Sequence, residues 1–172
     1  MWKLAYIILA LVVGLFVLPR IRLHYVLTKA FPSAYSKILR QNVRGYSRMP
    51  THLQMQLKRK IRQFLHEKTF VGCAGLEITD EIRLTIAAKA CLLLLNREIA
   101  VYPKLTHILV YPGAFIAPRQ QLAAGGIVTH TNQTLSGESW SDGRVIVAWD
   151  QIISNTFQDD FEHDVVIHEF AH

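Results

Sequence analysis

Residues 165–172 read Val165-Val166-Ile167-His168-Glu169-Phe170-Ala171-His172. A helix turns once every 3.6 residues, so histidines four apart project from one face. Two neutral imidazoles so arranged bind one Zn²⁺. Glu169 follows the first histidine directly. It is placed to take a proton from metal-bound water, whose pKa zinc lowers toward 7, and to carry that proton to a leaving amine. At this composition, chance supplies the spacing in about a few chains per hundred. The context adds weight. An apolar run, Val165-Val166-Ile167, precedes the motif and uncharged Phe170 and Ala171 fill it. Burying two histidines and a glutamate on such a helix without a metal is costly. His168 and His172 are therefore the candidate metal ligands, Glu169 the candidate catalytic acid/base, and Zn²⁺ the expected cofactor.

Upstream, Asp159 and Asp160 open this last helix. Before it, strand-like runs at 106–111, 127–129, 134–140 and 145–149 follow one another. Ser141-Asp142-Gly143-Arg144 joins the last two, and Asp-Gly between β-prone runs signals a hairpin. Helices occupy the first half. One is expected at about 33–41. A second covers 51–68, where Leu53, Leu57, Ile61, Phe64 and Leu65 fall on one face. A third is capped by Thr79 or Asp80 and runs to about residue 95, with Asn96 as its stop. The body of that helix is apolar on nearly every side despite Lys89, the signature of a buried helix. Glycines at 72 and 75 punctuate the segment between the second and third helices.

The sequence of 172 residues is long enough for one real core. Its charge is unevenly spread. Residues 1–68 carry 13 Lys or Arg against one acid, Glu67, while residues 69–172 carry 6 against 12; the net +6 is thus +12 beside −6. The basic part adjoins an apolar run over 4–18, followed by Pro19, Arg20 and Arg22. About 15–17 apolar residues lie at the low edge for a membrane-spanning helix. A cleaved signal peptide is the rival, but its basic n-region and small-residue cleavage site are weak. The reading favours a single-pass anchor over 1–24. The heavier positive charge after it sets the remaining chain on the cytoplasmic side of the inner membrane. A signal peptide would instead give an exported protein, or the chain is cytoplasmic. The basic flank suits anionic lipid. No direct nucleic-acid binding is expected, since no helix-turn-helix, zinc-finger or RNA-binding motif is present. Two cysteines in apolar surroundings, Cys73 and Cys91, form no disulfide framework and no metal-binding pair.

Blocks at 64–76, 86–95, 110–115, 136–140 and 166–172 occur in a specific order, among them Val110-Tyr111-Pro112-Gly113-Ala114-Phe115 and Ser136-Gly137-Glu138-Ser139-Trp140. With these the chain resembles the Mlc titration factor A family of glucose-regulated metallopeptidases, over about residues 31–172. The resemblance implies a zincin-like α+β domain and zinc-dependent, aminopeptidase-type cleavage of a peptide substrate. It implies zinc ligation by His168 and His172 and acid/base work by Glu169. For enterobacterial members it also implies binding to the glucose repressor Mlc, so a non-catalytic or weakly catalytic regulatory protein is the alternative. Zincins set an edge strand before the active-site helix, where substrate pairs as an added strand; either 135–140 or 145–149 is that edge. The family takes a further zinc ligand, a Glu, downstream of the motif, and this sequence ends at His172. The expectation is a C-terminally truncated domain over 51–172 with weak zinc affinity and little activity, joined by a linker and short helix at 25–50 to the anchor at 1–24. His130 is a weak candidate for an additional zinc contact.

Overall fold

The computed structural model describes residues 2–97, 100–113, 115–122, 128–135, 137–140, 143–157 and 165–171. The chain mixes helix and sheet. Helix α1 spans Trp2–Thr28, α2 Ser33–Asn42, a short 3₁₀ turn Tyr46–Arg48, and α3 Thr51–Glu67. Strand β1, Thr69–Gly72, leads through α4, Asp80–Leu92, to β2, His107–Tyr111. Strands β3 (Phe115–Leu122), β4 (Val128–Leu135), β5 (Gly137–Trp140) and β6 (Arg144–Ala148) follow, then α5 (Trp149–Phe157) and α6 (Val165–Ala171).

Four strands form one sheet in the order β1-β2-β6-β5. β1 and β2 pair in parallel, with Thr69 opposite His107, and β2 pairs in parallel with β6, with Ile108 opposite Val145. β5 and β6 are antiparallel, with Trp140 opposite Arg144, the pairing expected of the hairpin the sequence signals; Ser141 and Asp142 lie outside the described residues. β3 and β4 pair only with each other, as a separate antiparallel ribbon. The strand expected over 134–140 is therefore divided. Leu135 closes β4 against Phe115, whereas Gly137 opens β5 against Val147.

The helices form for the reasons the periodicity gives. On α3, Leu57, Ile61 and Phe64 are fully buried at i, i+4 and i+7. Burying each contributes about 1.5–3 kcal/mol. On α4, the Thr79 hydroxyl accepts from the Ile82 amide at 3.3 Å, an N-cap, with Asp80 and Glu81 in the favourable first turn. Past its end, Asn96 takes a left-handed conformation, φ 57°. Nearly all of α4 is buried, and Lys89 with it, at 4% exposure. One core joins α2, α3 and α4 to the central strands and to Ile152, Val166 and Phe170 of the last two helices.

Helix α2 is stapled to α4 by a buried polar contact. Asn42 Nδ2 donates to Glu81 Oε1 at 2.8 Å and to Thr85 Oγ1 at 3.0 Å. Cys91 is buried and Cys73 half-buried; both are free thiols. Burial pushes the Cys91 thiol well above its ordinary range.

The membrane-spanning helix expected over 1–24 requires correction: among the described residues no helix is long and apolar enough to cross a membrane. The apolar run over 4–18 extends about 22 Å at 1.5 Å per residue, short of the roughly 30 Å hydrocarbon core. The helix does not stop at Pro19 but carries on through Arg20 and Arg22 to Thr28.

Candidate functional site

His168 and Glu169 lie on α6. That helix packs against α4, β5, α5 and β6. Its inner face is set by Val166, fully buried, and Phe170, 7% exposed, an i, i+4 pair. The Phe170 ring lies 5.9 Å from Phe64 on α3 and 5.1 Å from Tyr102, at interplanar angles of 43° and 78°. Phe64 and Tyr102 are themselves edge-on at 6.1 Å. Offset and edge-on pairs at these distances each add about 0.5–1.5 kcal/mol beyond simple burial. Phe170 is the residue immediately after Glu169. The motif is thus fixed in rotation by one of its own members. Helical periodicity sets position 168 about 200° round the axis from Val166. Glu169 is half-buried.

Tyr102 is held from two sides. Its hydroxyl donates to the Ala90 carbonyl of α4 at 2.8 Å, and its own carbonyl accepts from Lys68 Nζ at 2.7 Å. Burial, before any charge effect, raises the Tyr102 phenol far above its usual range. Burial likewise depresses Lys68, with the Glu67 carboxylate at 3.5 Å acting in the opposite direction. Lys89 donates from Nζ to the Ile152 carbonyl of α5 at 3.0 Å, tying α4 to the helix that follows β6.

The sheet presents β5 at one end among the described strands, and α6 lies against it. Of the two edges the sequence leaves open, β5 is outermost and β6 is interior. The hairpin that sets this register turns on Gly143, at φ +82°. Its carbonyl accepts from the Thr106 and His107 amides at 2.8 and 3.2 Å, which locks the turn onto the start of β2.

His172 lies outside the described residues, as does the opening of the last helix at Asp159 and Asp160. His130 falls on β4 at the register position opposite Gln120, in the ribbon separate from the four-stranded sheet. Adjacent imidazole and carboxylate residues on one helix are donor chemistry that zinc accepts. Among the described residues no group of three or more His, Cys, Asp or Glu side chains is gathered to hold a metal. The sequence reading missed Tyr102 and Lys68 as supports of α6. Tyr102 shows little in sequence beyond being an aromatic in the segment between α4 and β2.

The glucose-regulated metallo-peptidase M90 family matches residues 19–172. An uncharacterized protein, slr2042, of Synechocystis sp. is 37% identical over 145 residues, covering 84% of this chain and 53% of the relative. Mlc titration factor A of Klebsiella pneumoniae strain 342 is 32% identical over 128 residues, 70% of this chain and 46% of that protein. Mlc titration factor A of Pectobacterium atrosepticum is 31% identical, covering 64% and 41%. The chain spans about half the length of the curated relatives it matches.

Proposed function

The chain belongs to the glucose-regulated metallo-peptidase M90 family, and from that premise we propose that it is the zinc-binding part of a peptidase hydrolysing peptide bonds with water. The observation that carries this reading is the packing of α6, bearing His168 and Glu169, against the edge strand β5. In this reading His168 and His172 hold zinc, within a zincin-like domain over 51–172. Bound zinc supplies Lewis acidity, lowering the pKa of water and polarising the scissile carbonyl. Glu169 accepts the proton of the attacking water and hands it to the leaving amine. The outer edge of β5 pairs with an extended peptide, whose backbone then lies alongside α6. Aminopeptidase-type cleavage is part of this proposal and rests on the resemblance alone.

The names of the Mlc titration factor A relatives favour a second reading, in which the fold binds a transcriptional repressor such as Mlc with little or no catalysis. The location proposed is the cytoplasmic face of the inner membrane, with residues 1–24 associated with lipid and 25–50 connecting them to the peptidase domain. Its support is the apolar run over 4–18 followed by Arg20 and Arg22, a basic flank that suits the anionic cytoplasmic leaflet.

The test is peptide cleavage by the complete protein before and after treatment with a zinc chelator. Loss on chelation and recovery on adding back zinc are expected. Cleavage indifferent to the chelator refutes the metallopeptidase reading. Repressor capture by the chelated protein, with no cleavage under any condition, favours the binding reading.

A further inference from the structure

We propose that the junction between α1 and the folded domain is a docking collar for a bilayer containing anionic phospholipid. This rests on the reading that residues 1–24 associate with lipid and deepens it. It names the headgroup chemistry and the residues of the folded domain that meet it.

Among its described residues, helix α1 is partly covered at its C-terminal end. Leu23, Val26 and Leu27 are half-buried there, and α1 packs against α3. Further toward the N-terminus large apolar side chains stand exposed, with Trp2 at 80% and Leu15 at 72%. Large apolar side chains left exposed on one helix, Val13, Leu15, Val17, Leu18 and Ile21 among them, suit a protein or membrane partner.

The fold adds what the sequence does not reveal. Residues some thirty positions apart converge where α1 meets the domain. Arg62 of α3 donates from its guanidinium to the Lys29 carbonyl. The Lys58 ammonium lies 5.5 Å from the centre of the Phe31 ring, and that of Lys29 4.6 Å from the Tyr25 ring. Arg22 and Arg59 are exposed. These contacts orient the cations through rings and a backbone carbonyl, neither of which neutralises them. No Asp or Glu occurs in residues 1–66. The result is a positive girdle at the C-terminal end of α1, whose described large apolar side chains nearer the N-terminus are exposed.

A bilayer with anionic headgroups complements both halves at once, phosphates for the girdle and acyl chains for the helix. Nucleic acid would complement only the first. A basic residue near an anionic surface raises partitioning about fivefold.

The experiment is flotation of the full chain with vesicles of phosphatidylcholine alone and of phosphatidylcholine mixed with phosphatidylglycerol, at low and high salt. Tighter binding to the mixed vesicles, weakened by salt toward the neutral-vesicle level, is expected. The triple variant Arg22→Gln, Lys29→Gln, Arg59→Gln should lose on the order of a hundredfold on mixed vesicles and nothing on neutral ones. Circular dichroism matching the parent chain establishes that the variant is folded. Lys104→Gln, an exposed control beyond the girdle, should change binding far less than any girdle residue. Equal, salt-insensitive binding to both vesicles overturns the collar while leaving the lipid reading of α1 intact. Binding to neither overturns both. Tighter binding to an oligonucleotide than to mixed vesicles at the same salt overturns the proposal in favour of nucleic acid. An equal loss from Lys104→Gln also overturns it, since net charge alone would then account for the effect.

Discussion

The ring of Phe170, inside the His-Glu motif, meets the ring of Tyr102 edge-on at 5.1 Å and 78°. Tyr102 in turn hydrogen-bonds α4 through its hydroxyl and Lys68 through its carbonyl. The orientation of the candidate catalytic helix thus depends on a loop residue 68 positions away in sequence. Replacing Phe170 with Ala should destabilise the chain by about 3–5 kcal/mol through lost burial and the cavity left behind. Phe170→Leu keeps much of the volume and should cost roughly half as much. Urea unfolding midpoints measure both.

The hairpin that sets β5 at the sheet edge depends on Gly143. A Cβ there would stand 2.6 Å from the Lys104 carbonyl oxygen, and the residue sits at φ +82°. Gly143→Ala should cost about 2 kcal/mol or more, about 1 kcal/mol of it from the left-handed backbone. Because the turn sets the β5–β6 register, peptide cleavage should fall along with stability. Thermal unfolding and a cleavage assay on the same preparation check this.

Asn42 joins α2 to α4 through two side-chain bonds in a buried setting. Asn42→Ala removes both and leaves Thr85, itself fully buried, short of a partner. The expected loss is about 1–3 kcal/mol. The double variant Asn42→Ala, Thr85→Val should lose less than the sum of the single changes, which a double-mutant cycle measures.

The Cys91 thiol makes stability depend on alkaline pH. Its folded pKa is raised above the ordinary 9.0 by burial. Its contribution is fully present below that ordinary value. It is lost as pH rises above it, because the unfolded chain gives up the proton that the folded chain keeps. The slope reaches about 1.4 kcal/mol per pH unit for the one group. Tyr102, also raised by burial, adds a loss of the same sign above its ordinary 10.0. Lys68, depressed by burial, works the other way: its stability penalty is present at lower pH and fades as pH rises toward its ordinary 10.5. Comparing urea midpoints at pH 8 and above pH 9, Cys91→Ala should flatten the decline relative to the parent chain.

Much of the helical half is readable from sequence because its signals are local. The 3.6-residue spacing of Leu57, Ile61 and Phe64 and the Thr79 cap coincide with what forms, whereas α4 ends at Leu92, before the stop expected at Asn96. The strands are less legible. β1 is four residues long with alternating partial exposure, and the glycines at 72 and 75 make its C-terminal end read as a loop. β3 contains Pro118 and the polar run Arg119-Gln120-Gln121, and is sustained by pairing with β4 rather than by an apolar pattern. α5 begins at Trp149, immediately after β6, so the apolar strand pattern runs straight into it. At the site, the motif on α6 is visible at once, but its surroundings are not. Which strand is the edge depends on pairing across the whole sheet, and the partner of Lys89 lies 63 residues away at Ile152.

The central claim is that Glu169 moves the proton in water-driven peptide hydrolysis, and Glu169→Gln in the complete protein tests it most directly. The amide keeps the size of the side chain but cannot accept that proton. Peptide cleavage should fall by about 10²–10⁴-fold, with zinc content and unfolding midpoint close to the parent's. Cleavage by the folded Glu169→Gln protein at the parent rate would contradict the account.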